Sequence, residues 1–296
     1  MYQIISDSAC DFSPSEIEYS DIQTIPFYVS FDSKTYLKEE VDISKEEYFN
    51  RLINEKNLFP KTAQPNPQDY IDICTPHLES GKDILILTIS SKLSGSYNSA
   101  AIAQRSLEDT YTDRKVAIID SLTASIGQGL ILGEIIKMRN EGYTLEETAR
   151  IAKEVLNTTR TYVTLDSLEY VRRGGRIGPT TALVGGILGL KPILQLSDGI
   201  VTQLDNVRGK KNAMRILEEA MVHALKDDIS DVNIRIGHIG RREDAESFVQ
   251  KTEAALGTKI ENPVTELGVT IGAHAGPGAL GVSYCKKYDQ FERKIA

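Results

Sequence analysis

Residues Asp83 to Arg105, DILILTISSKLSGSYNSAAIAQR, constrain the fold more than any other stretch, because a buried strand, a serine-rich turn and a small-residue helix follow one another without a break. Ile84 to Ile89 is an almost continuous apolar run. Such a run fits a strand covered on both faces, as in the parallel sheet of an α/β protein. Polarity then switches abruptly. Ser90, Ser91, Ser94 and Ser96 crowd the turn, and Gly95 lets other atoms approach the backbone closely. Tyr97 to Arg105 reads as helix, whose N-terminus offers unpaired N–H groups and the positive end of a dipole, so an anion is favoured there. Taken singly, each serine is also accounted for as a helix cap or turn former.

The neighbouring segments repeat the theme. Gln3 to Ile5 is a short strand running into Ser6-Asp7-Ser8, and Ile22 to Phe31 reads as a second strand closed by the turn Asp32-Ser33-Lys34. Ser44 and Glu47 form a capping box for the next helix. The loop FPKTAQPNP, Phe59 to Pro67, holds three prolines and places Thr62 in a stiffened loop; Asn66-Pro67 then starts a helix from Gln68 to Leu78. Val116 to Ile119 is a strand ending in Asp120-Ser121, with a helix from Thr123 to Asn140 and a second capping box at Thr144 and Glu147. Three strands thus end in polar residues. In open α/β sheets ligands gather beyond the carboxyl ends of the strands, so one shared site is expected there.

The second half has a different texture. Thr161 to Leu165 reads as a strand and Asp166 to Arg173 as a short helix capped by Asp166 and stopped by Gly174-Gly175. Thr180 to Leu194 is apolar and glycine-rich, suited to core or to the wall of an apolar cavity. Asp198-Gly199 marks a hairpin between Pro192 to Leu196 and Ile200 to Leu204. A helix (Gly209 to Leu225), a strand (Val232 to Ile236), a helix (Glu243 to Leu256) and a glycine-rich pair of strands around Gly268 to Tyr284 follow. We therefore expect an N-terminal α/β lobe with a parallel sheet, residues 1–158, and a C-terminal mixed α+β lobe, residues 159–296.

Bulk properties narrow the function. Against 34 Lys+Arg stand 42 Asp+Glu, a net charge of −8 that is the wrong sign for electrostatic binding of nucleic acid. Cys10, Cys74 and Cys285 are odd in number and widely spaced, which indicates neither a disulfide framework nor a zinc site and suits a reducing compartment. The N-terminus lacks the features of a signal peptide, and the longest apolar segment is too short to span a bilayer. A cytoplasmic protein without a membrane span is expected.

Chemistry-bearing motifs are mostly incomplete. Neither a Walker loop nor a strand-linked dinucleotide fingerprint occurs. Asp7, Asp11 and Asp120 stand near strand ends, but a Mg²⁺ site calls for denser acidic clustering. A serine esterase could be assembled from Ser94 or Ser96 with His274 and Asp7 or Asp120, although the G-x-S-x-G elbow is missing. His238 and His274 sit beside glycine-rich turns, within reach of a pocket or of structural partners. Arg172, Arg173 and Arg176 cluster after a helix, as a solvated basic turn or as a contact for an anion or partner.

Taken together and in order, IISDSACD, KTAQPNP, LTISSKLSGSYNSA, IDSLTASIGQG, LEYVRRGGRIG, LKPIL and AHAGPGALG give a chain that resembles the DegV family of bacterial fatty-acid-binding proteins, which includes the B subunits of fatty acid kinase. The likeness runs over about residues 2–284. It implies two α/β lobes with a long-chain fatty acid such as palmitate, stearate or oleate buried between them, and neither cofactor nor metal. By resemblance, Thr62 and Ser94 hold the carboxylate with the Gly95 N–H nearby, while Arg176, His274 and the neighbouring Arg173 lie near the head group or a partner surface. It also implies a separate kinase subunit that phosphorylates the bound acid. Ala63 departs from the pattern, since many relatives carry serine there.

Overall fold

The computed structural model describes residues 2–55, 57–177, 189–225, 229–261 and 264–293. From the N-terminus these form β1 (Tyr2–Asp7), α1 (Pro14–Tyr19), β2 (Ile22–Ile25), β3 (Tyr28–Ser30), β4 (Leu37–Lys38), α2 (Lys45–Asn54), β5 (Lys61–Ala63) and α3 (Pro67–Glu79). There follow β6 (Asp83–Thr88), α4 (Ser96–Thr110), β7 (Val116–Asp120), α5 (Ile126–Asn140) and α6 (Leu145–Thr158). The remainder is β8 (Arg160–Thr164), α7 (Glu169–Gly174), β9 (Leu190–Ser197), β10 (Ile200–Arg208), α8 (Lys210–Leu225), β11 (Val232–His238), α9 (Arg242–Leu256), β12 (Thr265–Glu266), α10 (Val269–Ala275) and β13 (Leu280–Lys286).

The apolar run is the strand it was expected to be. β6 lies inside a parallel sheet of order β2-β1-β6-β7, and Ile84, Leu85, Ile86 and Leu87 are all fully buried. Alternate residues face opposite layers. Ile84 and Ile86 pack with Tyr70, Cys74, Ala100 and Ala103 of α3 and α4, while Leu85 and Leu87 pack with Leu130, Ile131, Ile151 and Val155 of α5 and α6. Both faces being covered removes the need for polar alternation. A second, six-stranded sheet of order β10-β9-β8-β13-β11-β12 is antiparallel except for its β11–β12 pair. A small antiparallel sheet, β4-β3-β5, joins Val29 to a core that also contains Tyr48, Phe49, Leu165, Val171 and Val269.

Local signals translate directly where their partners are local. Asn66 caps α3 through the Gln68 and Asp69 amides with Pro67 in the first turn, and Thr144 and Glu147 form a reciprocal capping box on α6. Ser44 accepts from the Glu47 amide at 3.1 Å, but the reciprocal Glu47 side-chain bond of the expected capping box is not made. Gly175 ends α7 at φ 68°, and the β9–β10 hairpin turns through Asp198 and Gly199 at φ 51° and 83°.

Other expectations are corrected. The strand expected over Ile22 to Phe31 is two strands in different sheets, because Pro26 lacks the N–H that a continuous ladder needs. Thr62 is not in a loop: it lies in β5, opposite Val29. The helix expected from Thr123 begins at Ile126, after Leu122 and Ser125 take positive φ of 47° and 60° and Ser125 N donates to Ala9 O. Asp166 does not cap α7; it pairs with Lys191, and the Ser167 hydroxyl accepts from Glu169 N instead. Gly268 to Tyr284 holds helix α10 and one strand, not two strands. Of the apolar run Thr180 to Leu194, residues 180–188 lie outside the described residues and the rest opens β9. No helix among the described residues is long and apolar enough to cross a membrane.

Candidate functional site

Because β1, β6 and β7 are adjacent and parallel, their polar carboxyl ends do meet. They first satisfy one another. Asp7, fully buried, accepts from Ile89 N (2.9 Å), Ser96 Oγ (2.7 Å) and Gln128 Nε2 (2.8 Å), and Ser96 also contacts Tyr70 Oη at 2.6 Å. Burial pushes the Asp7 carboxyl up to about 6 against the pull of those bonds. Asp120 accepts from the Ser91 and Leu122 amides, each at 3.1 Å. These carboxylates lock the turn after β6 and so place Ser94 at the edge of a cleft.

That cleft runs between the strand ends, β8, β9 and α10. It is lined chiefly by apolar side chains, among them Phe27, Ile89, Val163, Leu194 and Ile271. Its cavity volume is about 140 Å³, and all the empty space between its walls, open solvent included, is about 1020 Å³. A void of about 150 Å³ takes up a benzene ring; a long ligand would use the whole cleft.

Thr62, Ser94, Arg176 and His274 all line it. Thr62 Oγ1 and His274 Nε2 are 2.9 Å apart. Burial, and then the positive charge of Arg176, push the His274 imidazole down to about 4, so it is neutral at pH 7. Among the described residues its Nδ1 is buried without a partner, facing Gly174, where a side chain would collide with the ring. Arg176 is exposed and donates from Nε to Leu93 O at 3.1 Å and from Nη1 to Gly174 O. The Ser94 oxygen accepts from Ser96 N at 3.2 Å, and among the described residues its proton has no acceptor.

The other residues singled out in the sequence stand elsewhere. Gly95 is the N-cap of α4 and is not among the lining residues; a Cβ there would lie 3.0 Å from Gln64 Nε2, so the glycine makes room for Gln64 at the mouth. Arg173 stacks on Phe59 at 3.9 Å and pairs with Glu169, outside the lining. Ser96 is buried against Asp7 and Tyr70 while His274 contacts Thr62, so neither bond of an esterase dyad is made. Gln64, Ser125, Thr161 and Thr270 line the cleft unforeseen. Gln64 and Ser125 lie within quoted motifs that could have flagged them; Thr161 and Thr270 carried no signal.

Three comparisons bear on this geometry. The family model described as "Uncharacterised protein, DegV family" matches residues 1–287. A DegV domain-containing protein of Caldanaerobacter subterraneus subsp. tengcongensis is 33% identical over 96% of this chain and 98% of its own. Among solved structures, a fatty acid (stearic acid)-binding protein from Eubacterium ventriosum superposes with a TM-score of 0.93 at 30% identity, covering 98% of this chain and 100% of that one. A DegV family protein from Thermus thermophilus, described by its fatty acid binding, gives 0.86 at 28% identity over 96% and 99%. Motifs, fold and relatives agree: the chain belongs to the DegV family.

Proposed function

We propose that this chain binds a long-chain fatty acid such as palmitate, stearate or oleate in the cytoplasm. In this reading the acyl chain lies in the cleft between an N-terminal lobe, 1–158, and a C-terminal lobe, 159–296. The carboxylate is held by Thr62 and Ser94, with the Gly95 amide near and Arg176 and His274 beside it. The observation that carries this reading is an apolar cleft whose lining includes the Thr62 and Ser94 hydroxyls, the neutral His274 imidazole and the exposed Arg176. Relatives described as binding stearic acid or fatty acid support it.

The geometry suggests how the head group is taken. If Thr62 gives its proton to a carboxylate oxygen, its own oxygen must accept from His274, so the ring proton sits on Nε2 and Nδ1 is bare. The buried, partnerless Nδ1 is then a lone acceptor, not a stranded donor. Ser94 supplies a second donor. Most of the affinity comes from the tail: about fourteen methylenes at about 0.8 kcal/mol each give roughly 11 kcal/mol gross, before association costs of about 4–15 kcal/mol. Head-group bonds set orientation. A kinase subunit that phosphorylates the presented carboxylate is the proposed partner, with Arg176 and Arg173 on the exposed rim toward it. This chain would supply the substrate and not the phosphoryl chemistry.

Denaturing the purified protein and analysing the extract by mass spectrometry should release stoichiometric fatty acid. A cleft that yields none and also refuses added palmitate and oleate would remove the proposal.

A further inference from the structure

The cavity hydroxyls fall into two sets. Ser94 has no acceptor for its proton among the described residues, and Thr62 keeps its proton available to a ligand when His274 donates to it from Nε2. Ser125, Thr161 and Thr270 also line the cavity, yet each has its proton committed elsewhere. Ser125 Oγ donates to Asp11 Oδ2 at 2.5 Å, and Thr270 Oγ1 donates to Glu39 Oε2 at 2.7 Å. Thr161 Oγ1 lies 2.9 Å from Ser283 Oγ, and since Ser283 gives its own proton to Arg160 O, Thr161 must be the donor of that pair.

Asp11 and Glu39 are each 3% exposed, and burying a carboxylate is costly. Both also receive backbone amides at the start of α10: Gly268 N reaches Asp11 Oδ1 at 2.8 Å, and Val269 N and Thr270 N reach Glu39 Oε1 at 2.5 and 3.2 Å. A cap explains the amides. It does not explain why the second oxygen of each acid faces a cavity hydroxyl. A carboxylate accepts on both oxygens and donates from neither, so it can hold an amide and a hydroxyl proton at once.

We propose that Asp11 and Glu39 are specificity-determining residues for the acyl chain: by drawing the Ser125 and Thr270 protons out of the cavity, they keep its walls free of hydrogen-bond donors. Away from Thr62, Gln64, Ser94 and Arg176, an unsubstituted hydrocarbon chain then meets carbon and acceptor surface among the described residues. The inference deepens the fatty-acid reading and rests on it only for the identity of the ligand.

An isosteric amide tests it. In Asp11→Asn the Gly268 N–H requires the amide oxygen on its side, so the NH₂ faces Ser125, which must accept and turn its own proton elsewhere. The cavity is the open direction. A donor buried without a partner against methylenes costs affinity, an expected loss of about fivefold to a hundredfold. In Glu39→Gln the NH₂ likewise faces Thr270, and also Ser8 Oγ, which donates to Glu39 Oε2 at 2.7 Å but does not line the cavity.

The measurement is the Kd of palmitate and of the uncharged apolar fluorophore N-phenyl-1-naphthylamine at pH 8.5. It compares wild type with Asp11→Asn and Asp11→Asn/Ser125→Ala, and independently with Glu39→Gln and Glu39→Gln/Thr270→Val; melting curves confirm folding. Each single variant should weaken both ligands at least fivefold, and removing the hydroxyl as well should restore most of the loss. Wild-type affinity in the singles, or doubles as weak as the singles, overturns the proposal. So does failure of both singles to fold, because the charges would then be holding the structure. If palmitate does not bind wild type but the fluorophore shows the loss and its rescue, the fatty-acid reading fails and this one stands.

Discussion

Gly174→Ala is a one-methyl test of the head-group geometry. A Cβ at Gly174 would overlap His274 Nδ1 and lie 3.0 Å from its Cε1. The ring cannot simply retreat, because its opposite edge is fixed 2.9 Å from Thr62 Oγ1. Translation would compress that bond, so the imidazole has to rotate out of it. Overpacking of this kind costs about 1–3 kcal/mol of stability. Losing the bond that orients the Thr62 proton costs a further 1–3 kcal/mol in ligand binding, roughly fivefold to 150-fold in Kd. Isothermal titration with palmitate and thermal melts separate the two losses. The decisive comparison is a double-mutant cycle with His274→Ala: with the ring gone, the extra methyl has nothing to displace, and Gly174→Ala should then cost little. Equal costs with and without the ring, or unchanged affinity in the single variant, would refute the clamp.

Ser94→Ala should weaken palmitate binding by about 1–3 kcal/mol in titration calorimetry and also lower stability by about 0.5–2 kcal/mol in thermal melts, since the Ser94 oxygen accepts from Ser96 N in the first turn of α4. Gly199→Ala should lower stability by about 1–3 kcal/mol in denaturant titrations, because φ is 83° there and a Cβ would sit 2.7 Å from Ser90 Oγ. Burial pushes the Asp11 carboxyl up to about 7, with Ser125, Lys45 and Gly268 pulling it down and Glu39 raising it again; Arg235, ion-paired with Glu16, also contacts the Asp11 backbone. Its folded pKa exceeds its unfolded one, so its contribution to stability is full below about pH 4 and is lost as pH rises through 7: wild type should gain stability relative to Asp11→Asn between pH 8.5 and 5.5 in paired melting curves. Apolar fluorophore binding should move the other way, weakening in wild type as pH falls through 7, because a protonated Asp11 gives its proton to Ser125 and frees the serine donor.

What could be read from the sequence divides by the distance between partners. The strand–turn–helix unit at Asp83 to Arg105, the caps at Asn66 and Thr144 and the Asp198-Gly199 turn depend on residues within a few positions, and they form as their local chemistry dictates. Helix α10 could not be read that way. Its glycine-rich sequence suggests strand or turn, and what holds its first amides are Asp11 and Glu39, more than two hundred residues earlier. Thr62 and Ser94 were legible through their motifs, but the placement of Thr62 in a three-residue strand was not, because β5 exists only through its pairing with β3.

The two acids of the opening motif, ISDSACD, show how a short segment can govern a site without touching the ligand. Read as a sequence, Asp7 and Asp11 are too sparse for a metal site; in the fold each takes a different set of donors. Asp7 accepts from Ile89 N and Ser96 Oγ, and so fixes the turn that carries Ser94. Asp11 accepts from Gly268 N and Ser125 Oγ, and so anchors the helix that carries His274. Between them lies one 3₁₀ turn, Ser8–Cys10, after which Asp11 takes φ 53° and turns its carboxylate toward α10. One wall of the proposed head-group site is therefore set from each end of this turn. A change in its length would shift Ser94 relative to His274 even though neither residue is within eighty positions of it.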